Sequence, residues 1–145
     1  MKSGFLTDLS VDLKPGNDCV WIVVKPLKYY SELLKCTLIV PPWFETKEPD
    51  ESGESSFFET DFASVPRVPF IYEAWGNRAH REAVIHDYLY RTDSKPIVAY
   101  SQANSVFLEA MQSTGKPWYI CYGMYMGVVL GGWTAWHKRK VKDRL

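Results

Sequence analysis

The chain has 145 residues, 46% of them hydrophobic and 15% aromatic, which is the size and apolar content of one domain able to bury a core. Those values exclude a disordered chain or a collagen-like repeat. Seventeen basic and seventeen acidic side chains cancel, so the positive field that nucleic-acid coating needs is missing and no nucleic-acid partner is expected. Cys19, Cys36 and Cys121 are widely spaced and odd in number, which indicates neither a disulfide framework nor a thiolate zinc site. Asp8 and Asp12 fall where a secretory signal would need an unbroken apolar stretch, so no cleavable export signal is expected.

The pattern predicts an α+β domain spanning 1–145: a small antiparallel N-terminal sheet within 1–60, followed by three packed helices within 61–136 and a basic tail, 137–145. The β-rich words are 19–24 (CVWIVV), which follows a PGND turn, and 37–40 (TLIV), set off by a polar connector that carries Pro26 and two tyrosines. Pro41 and Pro42 end the second word. The acidic, serine-rich stretch 45–56 (ETKEPDESGESS) has the composition of an exposed loop. Residues 60–67 (TDFASVPR) form an ordered turn that Pro69 keeps from growing into a helix.

The period then changes. Gly76 and Asn77 offer a cap, and Ala79, Ala83, His86 and Tyr90 form one helical stripe that ends near Arg91. Ser101 can cap a second helix with Ala103, Phe107, Ala110 and Met111 inward, Gly115 at its C′ position and Pro117 beyond. Residues 117–136 carry no charge and repeat glycine at 123, 127 and 131. Their many tyrosines, tryptophans and glycines favour a buried core helix over a membrane span, although the length and aromatic ends suit a bilayer.

Chemistry concentrates at His86, Asp87 and Tyr90. A histidine titrating near neutrality stands beside a carboxylate, and Tyr90 lies at i+4 from His86 and i+3 from Asp87. Asp61, on the ordered turn, is the candidate carboxylate to orient the imidazole, with Ser64 and Arg67 near it to bind an anionic substrate group. Asp61, His86 and Asp87 would also suit a hard or borderline divalent ion as cofactor. Each feature has a structural alternative: His86 as a satisfied core residue, Asp87 as a partner of Arg91, and Asp61 as a turn cap. His80 is off the stripe and expected to be solvated, and His137 belongs to the tail.

The motifs TDFASVPR (60–67), AVIHDYLY (83–90), AYSQANSVFLEAM (99–111) and MYMGVVLGGWTAW (124–136) resemble, in this order, a family of small uncharacterised proteins of tailed phages and prophages. The resemblance spans about 38–136. It implies a strand entering the TDFASVP turn, an HD-x-L-Y helix, an AD-x-x-F-x-x-AM helix and a glycine-containing terminal helix. Where that pattern has aspartate, this chain has Asn104, so an orienting acid would be weakened to an amide. The stretch 45–56 interrupts a run that the family keeps compact. HD-x-x-Y on a helix is also similar to the dyad of secreted calcium-dependent phospholipases, though the calcium loop and disulfides of those enzymes are absent.

The expected function is therefore a phage-encoded protein with a hydrolase-like site: His86 as base, Asp87 and Asp61 as orienting or metal carboxylates, Tyr90 in support, and Ser64, Arg67 and Asn104 on the substrate side. The alternative is a non-enzymatic virion or host-interaction protein in which these motifs knit sheet to helix. Expected partners are phage virion proteins or a host protein, with the host cytoplasm or the particle as location.

Overall fold

A computed structural model describes residues 1–13, 21–42, 59–60, 80–91 and 94–131. Its elements are β1 (Gly4–Phe5), β2 (Val11–Leu13), β3 (Trp21–Val23), β4 (Leu27–Ser31), β5 (Cys36–Val40), β6 (Glu59–Thr60), α1 (His80–Leu89), α2 (Tyr100–Ser113) and α3 (Trp118–Gly131). The architecture is α+β, as the pattern predicts, with antiparallel strands in the orders β1-β4-β5 and β2-β3-β6.

The connector that sequence reads as polar is a strand. In β4, Leu27, Tyr29 and Ser31 point inward while Lys28 faces solvent, and β5 answers with Leu38 and Val40 in and Thr37 and Ile39 out. The register pairs like with like, Leu27 opposite Val40 and Tyr29 opposite Leu38, so one face of the ribbon is apolar. Between them Lys35 takes φ 53°, a left-handed conformation that costs a non-glycine residue about 1 kcal/mol. The hairpin is held from outside: Glu109 of α2 accepts hydrogen bonds from Tyr29 Oη (3.0 Å) and Ser31 Oγ (2.7 Å) on Oε1, and from the Leu33 amide (2.9 Å) on Oε2. The N-terminal strand is tied to α1, because Phe5 packs on Tyr29 and lies under the Arg81 guanidinium.

Two apolar clusters make the core. One joins the sheet residues Val23, Leu27, Tyr29, Leu38 and Val40 to Val84, Ile85, Tyr88 and Leu89 of α1 and to the near face of α2. The other joins Ala83 of α1 to Phe107 and Met111 of α2 and to Ile120, Cys121, Met124 and Val128 of α3. Helix α1 contributes to both, so it is buried on every side from Glu82 to Leu89, where sequence suggests a single buried stripe.

The end of α2 follows expectation. Gly115 adopts φ +76°, its amide bonds to Gln112 O, and the Lys116 amide reaches Met111 O, the paired bonds of a Schellman stop. Its start does not: the cap residue is Ala99 rather than Ser101. Alanine offers no acceptor, but Gln102 turns back to accept the Ala99 amide at 2.9 Å, the glutamine half of a capping box. Helix α3 lies on α2, and Tyr100 donates to the carbonyls of Val128 and Val129 at its far end. Among the described residues no helix is long and apolar enough to cross a membrane.

Candidate functional site

Glu82, His86 and Tyr90 recur every four residues, so they share one edge of α1. Facing them on α2 are Asn104 and Phe107 near its start and Thr114 just past its end, which makes the two helices antiparallel. His86 Nε2 lies 2.8 Å from Asn104 Oδ1, and Tyr90 Oη donates to the same oxygen at 2.7 Å. The histidine ring also sits against Tyr90 and Phe107, with centroids 4.1 and 4.9 Å apart. His86, Tyr90, Asn104 and Phe107 are all buried, His86 and Asn104 to 1% exposure.

A carbonyl oxygen has no proton to give, so in this pairing Nε2 carries the hydrogen and donates to Asn104 Oδ1. Asn104 therefore fixes which ring nitrogen it meets and the plane of the imidazole. The Asn104 amide group, Nδ2, has no hydrogen-bond partner among the described residues, an arrangement that costs about 1–3 kcal/mol for a buried donor. Asp87 is also buried, at 3% exposure, one residue further round α1. Asn104 meets His86 and Tyr90 directly, as an orienting amide, where sequence alone puts it on the substrate side as well. Asp61, Ser64 and Arg67 lie outside the described residues, as do the loop 45–56 and His137. His80 is half-buried.

At the other end of the same edge lies a group that sequence reading does not single out. Glu82 Oε1 accepts from Thr114 Oγ1 at 2.7 Å and pairs with Lys116 Nζ, which also donates to Thr114. Both charges are withdrawn from water, with the lysine side chain 5% and the glutamate side chain 1% exposed. The signal was available as spacing, since Glu82 is one turn before His86, but its partner is 34 residues away. Beside it the buried thiol of Cys121 is raised above the ordinary range by burial, with the Glu82 charge adding and Lys116 opposing, so it is not a ready thiolate. Cys36 is likewise raised by burial.

Among the described residues no three His, Cys, Asp or Glu side chains are grouped to hold a metal ion. With Nε2 given to Asn104, a metal could meet His86 only through Nδ1. The arrangement orients the imidazole against Asn104.

The described chain is thus an α+β domain in which a short sheet and two helices enclose a central helix bearing an oriented histidine. It matches, over residues 21–128, a family described as "Protein of unknown function (DUF1353)", and it belongs to that family. Neither the curated proteins nor the solved structures contain a significant match to it.

Proposed function

We propose that this is a small phage-encoded protein with a hydrolase-like site, in which His86 is the general base and Asn104 its orienting residue. The convergence of His86 and Tyr90 on one oxygen of Asn104 carries this reading. Water would give a proton to Nδ1 as its oxygen attacks an ester, amide or phosphoester, and the imidazolium would return that proton to the leaving group. Asp87 and Asp61 supply the carboxylates that steady the charged ring or hold a divalent ion, and Ser64 and Arg67 bind an anionic part of the substrate. The order of the TDFASVPR, HDYLY and FLEAM motifs supports the phage assignment.

A second reading rests on the 1% exposure of His86: the histidine knits α1 to α2, and the protein acts as a virion or host-interaction component without chemistry. Turnover of a panel of carboxyl esters, phosphoesters and cell-wall amides, with and without divalent ions, distinguishes the two. The hydrolase reading expects activity in wild type and a loss of about 10²–10⁴-fold in His86→Gln with the thermal transition retained. Undiminished turnover in a folded His86→Gln protein overturns it. Absence of turnover in wild type, together with strong destabilisation by the substitution, favours the second reading.

A further inference from the structure

Asn104 uses one half of its side chain twice and the other half not at all. His86 Nε2 and Tyr90 Oη both bond to Oδ1, at 2.8 and 2.7 Å. Nδ2, with two hydrogens to give, is buried and has no hydrogen-bond partner among the described residues. The residue is 1% exposed, so bulk water does not answer it either. Two bonds to Oδ1 hold the amide plane, which leaves Nδ2 a donor fixed in direction before any ligand arrives. Native proteins keep few such donors, and each calls for an acceptor from outside the chain or a functional reason. A donor oriented in this way needs no reorganisation at the moment of binding.

The acceptor it fits is a neutral oxygen. An amide N–H donates without a charge, and Asp87 is buried beside His86 at 3% exposure. Arg81 is the sole lysine or arginine of α1 and α2, and it is turned to Phe5 and Asp8. A phosphate or carboxylate brought to Nδ2 would lose its hydration without gaining a cation from either helix, and buried charge is tolerated only when it is paired. The carbonyl oxygen of an ester or amide gives up less hydration and is matched by a single N–H.

We propose that Asn104 Nδ2 binds the carbonyl oxygen of the substrate, so that one amide holds His86 on its oxygen and an ester or amide group on its nitrogen. The site is thereby narrowed to carboxylic esters and amides, and phosphoesters are set aside. What the bound carbonyl undergoes rests on the hydrolase reading; that it binds does not.

The test is a titration of the full isotope-labelled chain with acetamide and, separately, with inorganic phosphate, following the side-chain NH2 resonances of Asn104 by NMR. Acetamide is expected to move them saturably downfield and phosphate to leave them in place. Asn104→Asp keeps an acceptor for both His86 and Tyr90 but has no NH2 group. Its affinity for acetamide, read from the backbone resonances of α2, is expected to fall about tenfold with the loss of one hydrogen bond. If that variant loses its thermal transition, the wild-type titration decides alone. Resonances that acetamide leaves unmoved, or that phosphate moves as far, overturn the proposal, as does equal acetamide binding by a folded Asn104→Asp protein. Unmoved resonances in a protein that hydrolyses esters or amides through His86 overturn this proposal and leave the hydrolase reading standing. Saturable movement in a protein that turns over no ester or amide keeps the carbonyl site and overturns the hydrolase reading.

Discussion

At the scale of single residues, polar groups in this core are placed where another side chain answers them. Tyr29 is fully buried, yet its hydroxyl reaches Glu109. Burial first, then the glutamate's charge and hydrogen bond, push its ionisation well above the ordinary tyrosine value. Because the folded-state value is the raised one, the native state keeps a proton that the unfolded chain releases above about pH 10. This contribution to stability is complete below that point and declines as pH rises beyond it. Urea midpoints between neutrality and strong base are therefore expected to fall less steeply for Tyr29→Phe than for wild type. At neutral pH the variant should lose about 1–2 kcal/mol with its hydrogen bond to a carboxylate. Equal slopes for the two proteins would show that Tyr29 ionises as readily folded as unfolded. Asn104 shows the same placement in neutral form: one oxygen serves both His86 and Tyr90.

At the scale of elements, α1 is the piece that sequence describes least completely. Its alanine stripe and the HDYLY word locate the helix and bring His86 and Tyr90 to one edge. Amphipathic reading nevertheless assumes a solvent side, and this helix has none between Glu82 and Leu89. What makes a charge tolerable there is distant: Lys116 comes from the turn between α2 and α3 and meets Glu82 with Thr114. No short-range pattern encodes such a pair. Nor does alternation alone separate β4 from a polar linker when its inward positions include Tyr29 and Ser31, whose hydroxyls donate to Glu109 of α2. Removing one member of the buried pair leaves the other charge unpaired in the core. Lys116→Met is expected to cost about 3–5 kcal/mol, whereas Glu82→Leu combined with Lys116→Met should recover most of that loss. Chemical denaturation of the two single variants and the double variant gives the coupling directly. A double variant no more stable than Lys116→Met would mean that Thr114 and the surrounding packing, not charge compensation, set the stability of this junction.

At the scale of the whole molecule, fold class and helix order were legible because they depend on period, composition and punctuation: the switch from strand-like words to helical stripes, and Gly115 followed by Pro117. The partnership of the parts was less legible, since it depends on which faces meet. The sheet cluster and the α2–α3 cluster are chemically separate apolar sets, and α1 supplies residues to both. Its polar edge is bound to α2 at Asn104 and to the α2–α3 turn at Lys116, so neither cluster can open without breaking buried bonds of α1. The described domain should therefore unfold as one unit, despite having two clusters. Met124→Ala, deep in the helical cluster and far from the sheet, tests this. Truncation there is expected to cost about 2–5 kcal/mol, and native-state hydrogen exchange should show β4 and β5 amides losing protection by the same free energy as those of α2. Loss confined to α2 and α3, with the hairpin amides unchanged, would divide the molecule at α1 and make its polar edge a boundary between two independently opening parts.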